Sequence, residues 1–176
     1  AGLGRVERMA VVSGSISPTT ADQIAWACGN GFAGVAFDVG AACGDGLPAA
    51  EDAAVRAGLA ALDAGQVPLI YTARGPDDPA VAGLRAAAGA ELPAVNDRIG
   101  AALGRVLRAL IERGGLSRAV VSGGDTSGHV CTALGIDALT AVAPTVAGAA
   151  ICRAHATGAM DGLHLALKGG QMGSRD

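Results

Sequence analysis

Three glycine-rich segments gather the residue types that hold an anion. They are Ser13-Gly14-Ser15-Ile16-Ser17-Pro18-Thr19-Thr20, Ser122-Gly123-Gly124-Asp125-Thr126-Ser127-Gly128 and Lys168-Gly169-Gly170-Gln171-Met172-Gly173. Glycines let the backbone approach phosphate oxygens, and the hydroxyls of Ser15, Ser17, Thr126 and Ser127 can donate to them. The phrase AVVSG stands at residues 10–14 and again at 119–123. Each time, a short apolar strand runs into Ser-Gly and then into a helix start, where free N–H groups and the helix dipole favour negative charge. A tight strand-to-helix turn would account for any one of these segments. Three of them at strand ends point to an anion site.

Two charged residues stand inside these segments. Asp125 could hold Mg²⁺ directly or through water, and could also cap a helix beginning at Thr126; the two roles are compatible. Lys168 is the only lysine beside twelve arginines. A compact ammonium next to Gly169-Gly170 can reach a phosphate as a point charge, without the width of a guanidinium. Two common phosphate devices do not fit. The spacing from Gly123 to Gly128 suits a Walker loop, but His129 and Val130 stand where Lys and Ser/Thr are required. A dinucleotide G-x-G-x-x-G fails as well, since Gly14 is followed by Ser15-Ile16-Ser17-Pro18. Without that fingerprint, Asp38 reads as a loop or cap residue rather than a ribose ligand. His129 reads as a packing or supporting residue and Cys131 as a buried one; no catalytic Ser-His-Asp or Cys-His pattern is present.

These segments need a scaffold that brings strand ends together. The runs at 9–14, 34–39, 68–73 and 118–123 read as buried strands. Ser17-Pro18 reads as a cap and first residue of a helix through Ile24 and Trp26. A second helix spans about 49–64 and stops at Gly65. A third keeps Val95, Ile99, Leu103, Val106 and Leu110 on one face and ends at Gly114-Gly115. A short helix from Thr126 closes at Gly135, and residues 74–79 read as a surface loop. Two or three strands follow before the last glycine-rich loop. The alternation predicts an α/β fold: a layered, largely parallel sheet with mixed C-terminal strands and helices on both faces, in one domain over 1–176.

Composition narrows the partners. Hydrophobic residues make up 51% and charged residues 16%, which argues against disorder. A net charge of -3, no basic block and four aromatic residues give neither a nucleic-acid surface nor a base-stacking platform. The four cysteines show no metal or disulfide spacing, so free thiols in a reducing compartment are expected. The most apolar stretch, 141–152, is too short to span a bilayer and contains Pro144. A cytoplasmic domain without membrane contact is the expectation, and a homodimer stays open.

The motifs VVSGSISPTTADQIAWA, VVSGGDTSGHVCTALGI and LALKGGQMG occur in the order seen in the four-carbon acid sugar kinase family. Nearly the whole chain resembles that family's nucleotide-binding C-terminal half. The resemblance implies ATP-dependent phosphorylation of the terminal hydroxyl of threonate, erythronate or 3-oxo-tetronate. It implies ATP contacts from Ser13, Gly14 and Ser15, from Gly123, Gly124, Asp125, Thr126 and Ser127, and from Lys168, Gly169 and Gly170. It also implies an N-terminal substrate-binding domain that carries the acid-sugar pocket and the catalytic base. Lacking that half, the chain alone is expected to bind nucleotide and to transfer phosphate poorly or not at all. A non-catalytic nucleotide- or phosphate-binding module is the alternative, and the missing glycine fingerprint disfavours a nicotinamide-dependent enzyme.

Overall fold

The computed structural model describes residues 3–4 and 6–174. Five strands run parallel: β1 (Ala10–Ser13), β2 (Phe32–Ala36), β3 (Val67–Tyr71), β4 (Arg118–Ser122) and β7 (His164–Lys168). β5 (Ile136–Pro144) and β6 (Ala150–Ala156) form an antiparallel hairpin, and β6 pairs antiparallel with β7. The sheet order is β2-β3-β1-β4-β7-β6-β5, so the sheet is largely parallel with a mixed C-terminal side, as the sequence predicts.

Five helices flank it: α1 (Pro18–Cys28), α2 (Leu47–Asp63), α3 (Pro79–Ala88), α4 (Leu92–Gly114) and α5 (Gly124–Leu134). Strand alternation divides the apolar residues between two layers. Val12, Ile70 and Val121 join Val55, Leu62, Leu107 and Val130 in the main core, beneath α2, α4 and α5. The predicted stripe Val95, Ile99, Leu103, Val106 and Leu110 is the buried face of α4. On the other face, Val11, Leu69 and Tyr71 meet Ile24 and Ala27 of α1. No helix among the described residues is long and apolar enough to cross a membrane.

Two segments differ here from the sequence reading. The strand expected at 34–39 lies at Phe32–Ala36, because its pairing with β3 runs from Phe32↔Val67 to Ala36↔Tyr71. Asp38 then caps a short 3-10 turn, Val39–Cys43, accepting from Ala41 N at 3.3 Å. The loop expected at 74–79 gives way to α3 at its last residue. Asp78 Oδ1 accepts from Ala80 N at 2.9 Å and Pro79 takes the first helical turn, a start signal that a single-residue view of RGPDDP hides.

The connections set the functional geometry. β1 and β4 are neighbours, but the helix after β1 covers one face and the helix after β4 covers the other. At such a switch point the two loops diverge and leave a crevice at the carboxyl ends of the strands.

Candidate functional site

One rung of the sheet crosses Tyr71, Ser13, Ser122 and Lys168 in register. The chain leaves β1, β4 and β7 at this rung, so the three glycine-rich loops begin side by side. Gly14 N donates to Ser122 O at 3.0 Å, and Gly123 N to Lys168 O at 2.9 Å, which carries the ladder into the loops. Only glycine allows the loops to close up further. A Cβ on Gly14 would lie 2.1 Å from Thr126 Oγ1, and one on Gly170 would lie 2.1 Å from Ser15 Oγ. Gly123 also has φ 120°, a conformation that side chains oppose.

Hydroxyls stitch the first loop to the third. Ser17 Oγ caps α1 by accepting from Thr20 N at 3.1 Å and donates to Gly170 O. Thr20 Oγ1 reaches the same carbonyl at 2.7 Å. Ser15 Oγ accepts from Ser17 N at 3.2 Å and faces Thr20 Oγ1 at 3.1 Å. Thr20 has a single proton, so with it on Gly170 O the Ser15–Thr20 contact takes the Ser15 proton, and Ser15 can donate to an incoming acceptor only by giving up that contact. Ser127 spends its proton locally, on Gly123 O at 2.7 Å. Of the four hydroxyls singled out from sequence, Ser17 and Ser127 are committed to backbone carbonyls of the loops, while Ser15 meets only Ser17 N and Thr20 Oγ1. Thr126, 7% exposed, is wedged between Gly14 and Gly123. Thr20 was not singled out; its signal was the position three residues after a serine cap.

The two helix starts at the crevice differ. Ser17 caps α1, whereas α5 begins at Gly124 with Gly123 as its cap position and no side-chain hydrogen bond. This corrects the reading of Asp125 as a cap before Thr126: Asp125 lies inside the first turn, because the left-handed glycine ends the strand one residue earlier. The N–H groups of Gly124, Asp125 and Thr126 therefore lack both an intrahelical acceptor and a capping side chain. Three free donors at a helix start, beside Gly14 and Ser15, are the arrangement that favours an anion. Asp125 is exposed and has no ion-pair or hydrogen-bond partner among the described residues. No cluster of three or more His, Cys, Asp or Glu able to hold a metal occurs among them. A single free carboxylate beside such donors suits a cation shared with bound phosphate, because Mg²⁺ takes one or two carboxylates and completes its shell with phosphate and water.

Lys168 sits on the α1 side of the sheet, apart from Asp125. Its Nζ donates to Gly169 O at 3.1 Å, no carboxylate among the described residues pairs with it, and burial pushes its pKa down. The neighbouring Ser13 Oγ is buried without a partner. Both line a chamber of about 330 Å³ between α1 and the sheet, with Thr20 and Ser122. A second cavity of about 330 Å³ opens on the other side of the loops, between α3, α4 and the first turn of α5, and Gly14, Asp125 and Thr126 stand at its mouth. The twelve residues singled out from sequence thus converge on one end of the sheet, but the two charged ones face opposite sides of the loop seam.

Comparison with known proteins accords with this geometry. Residues 10–176 match the family described as the nucleotide-binding C-terminal domain. The chain is 46% identical over 173 residues to the 3-oxo-isoapionate kinase of Paraburkholderia graminis, covering 96% of this chain and 37% of that protein. It is 39% identical over 116 residues to the 3-oxo-tetronate kinase of Pseudomonas savastanoi pv. phaseolicola, covering 66% of this chain and 25% of that protein. Among solved structures, a Haemophilus influenzae protein superposes with TM-score 0.75 at 23% identity, over 96% of this chain and 38% of that one. A Bordetella bronchiseptica protein, a domain-swapped dimer with bound citrate, superposes with TM-score 0.71 at 20% identity, over 97% of this chain and 39% of that one. These two likenesses are of fold. The chain spans no more than 37% of the length of either kinase.

Proposed function

Because the chain belongs to the nucleotide-binding C-terminal domain of the four-carbon acid sugar kinase family, we propose that it is the ATP-binding part of a kinase acting on a 3-oxo sugar acid. The single observation that carries the nucleotide reading is the uncapped start of α5, facing Gly14 and Ser15 at the switch point of the sheet. The family and the names of the two related kinases support the sugar-acid reading, with phosphate going to the terminal hydroxyl of the acid.

Each residue then has a task. The N–H groups of Gly124, Asp125 and Thr126 and the hydroxyl of Ser15 hold phosphate oxygens, and Ser17, Thr20 and Gly170 fix Ser15 in place. Asp125 would hold Mg²⁺, which neutralises charge on the transferring phosphate when bound. Phosphoryl transfer depends mainly on positioning and on charge stabilisation. We assign the first loop and α5 to the donor and an N-terminal domain to the acceptor and its base.

Calorimetry of this chain with ATP, ADP and NAD in the presence of Mg²⁺ tests the reading. ATP and ADP should bind and NAD should not; binding of NAD alone would overturn it. Assay of the chain joined to its N-terminal half, with 3-oxo-tetronate, threonate and erythronate, then tests the acceptor.

A further inference from the structure

We propose that the cavity between α3 and α4 seats the adenosine moiety of the nucleotide, with Asn96 reading the edge of the base. This rests on the nucleotide reading above and adds where the nucleoside lies, which the loops alone do not determine.

Two cavities adjoin the loops, and the contacts choose between them. The α1-side chamber has no residue of α5 or of Gly123–Gly124 in its wall. It is also separated from the start of α5 by the seam in which Ser17 and Thr20 hydroxyls meet Gly170 O and Gly170 packs on Ser15. A nucleoside there could not place its phosphates on the free N–H groups of α5 without parting that seam. The other cavity has Gly14, Asp125 and Thr126 at its mouth. A molecule whose anionic end sits on the first turn of α5 runs into it directly.

The shape and chemistry of this cavity suit a flat heteroaromatic ring. Val81 and Leu84 of α3 face Leu92, Ile99 and Leu103 of α4. Val81, Leu84 and Leu92 remain partly exposed while Leu103 is fully buried, so apolar side chains line an open slot above a sealed floor. Its volume of about 330 Å³ lies at the lower end of the ligand-pocket range, roughly 300–1,000 Å³. Apolar side chains make up the larger part of the wall, and Thr72, Arg85, Asn96, Asp97 and His129 add polar and charged groups to it, the mixture a small-molecule site needs. His129 Nε2 meets Asp97 Oδ1 at 3.3 Å, which ties α5 to α4 across the cavity. Asn96 also borders it, and its amide has no hydrogen-bond partner among the described residues. One donor and one acceptor on that amide match an amino group beside a ring nitrogen, as on adenine.

The experiment titrates the parent chain, Asn96→Leu and Leu84→Trp with MgADP, adenosine and magnesium pyrophosphate. Asn96 is exposed and Leu84 partly so, which makes both variants compatible with folding. Asn96→Leu should weaken ADP and adenosine by roughly tenfold, the loss of one or two neutral hydrogen bonds, and leave pyrophosphate unchanged. Leu84→Trp fills the slot, so ADP should fall to the affinity of pyrophosphate and adenosine should not bind. The only tryptophan, Trp26, borders the α1-side chamber, so its emission in the parent should not respond to adenosine. Quenching of Trp26 by adenosine, or ADP affinity unchanged in both variants, overturns the slot and leaves the nucleotide reading standing. A parent chain that binds neither ADP nor pyrophosphate overturns both.

Discussion

Gly14→Ala gives the most direct test of the way the first two loops are joined. Gly14 is not among the glycines with positive φ, so alanine meets no backbone strain there and the whole effect is steric. The new methyl would lie 2.1 Å from Thr126 Oγ1 and 3.3 and 3.4 Å from its Cβ and Cγ2. Rotation of Thr126 gives only partial relief: one rotamer carries Cγ2 into the vacated position, and the other turns the Cβ hydrogen there but leaves Cβ itself 3.3 Å from the new methyl. Non-bonded contacts settle at about 3.5 Å, so the loops must part by roughly 1 Å. Overpacking of this kind costs about 1–3 kcal/mol. For a chain of this size each kcal/mol lowers the melting temperature by roughly 2–4 °C, so a fall of about 3–10 °C is expected by scanning calorimetry. The same displacement moves the start of α5 away from Ser15, and ADP should bind at least tenfold more weakly, a loss of about 1.4 kcal/mol. Thr126→Ala in the Gly14→Ala background removes the opposing atoms and should restore most of the melting temperature. The coupling from that double-mutant cycle should fall within about 0.5–3 kcal/mol. If Gly14→Ala melts and binds ADP like the parent, the two loops are not held in contact by this glycine, and the crevice is looser than described.

Asp125→Asn should weaken the magnesium complex of ADP more than metal-free ADP, since the amide keeps the shape but not the charge; equal losses in paired titrations would show that Asp125 does not face the cation. Lys168 lies on the α1 side of the seam, away from the start of α5, so Lys168→Ala should leave the affinities for ADP and adenosine unchanged; a ten- to hundredfold loss for ADP alone, roughly the range for a hydrogen bond to a charged group, would place the phosphates across the seam. Burial depresses the pKa of Lys168. Folding stability should rise with pH between the depressed value and the ordinary lysine range, because only the unfolded chain holds the proton there. That trend should be absent from the alanine variant. Asp78→Ala should cost about 0.5–2 kcal/mol in chemical denaturation, as loss of a helix cap does. Backbone N–H groups of Arg74 and Ala80 hold the Asp78 pKa down, so this stability should be present above the ordinary aspartate range and vanish as pH falls through the depressed value.

The sequence disclosed the loops better than it disclosed what lies between them. Strands that run into Ser-Gly are local signals, and the apolar stripe of α4 is periodic, so both were legible. The pairing order was not. Nothing in AVVSG says that β1 and β4 are neighbours, although that adjacency, together with α1 and α5 on opposite faces, makes the crevice. The fates of the hydroxyls were equally hidden. Ser15 and Ser17 look alike in sequence, and only the approach of Gly170 from 153 positions away commits Ser17 to the seam, while Ser15 meets only Ser17 N and Thr20 Oγ1. The start of α3 stands in Asp78-Pro79, but the turn-forming residues just before it give the segment the composition of a loop.

The absence of a cap on α5 follows from the same packing. A serine, threonine or aspartate at position 123 would satisfy one of the free N–H groups and stabilise the helix by roughly a few tenths of a kcal/mol over glycine. Position 123 cannot accept one, since its φ is 120° and a Cβ there would lie 2.9 Å from Thr126 Oγ1 and 3.4 Å from Ser15 N. The glycine that lets the first and second loops close is therefore also the residue that leaves three N–H groups without a partner. Helix α1, whose cap position lies outside that contact, keeps its serine. The crevice thus has one helix start that is satisfied internally and one that is left for a ligand. A nucleotide bound at the second should raise the melting temperature as its concentration rises, by about 2.7 kcal/mol at a hundredfold excess over its Kd. Gly123→Ser would supply a cap only by opening the loops, so ADP should no longer shift its melting temperature. If ADP stabilises Gly123→Ser as much as it does the parent, the phosphates are held somewhere other than the start of α5.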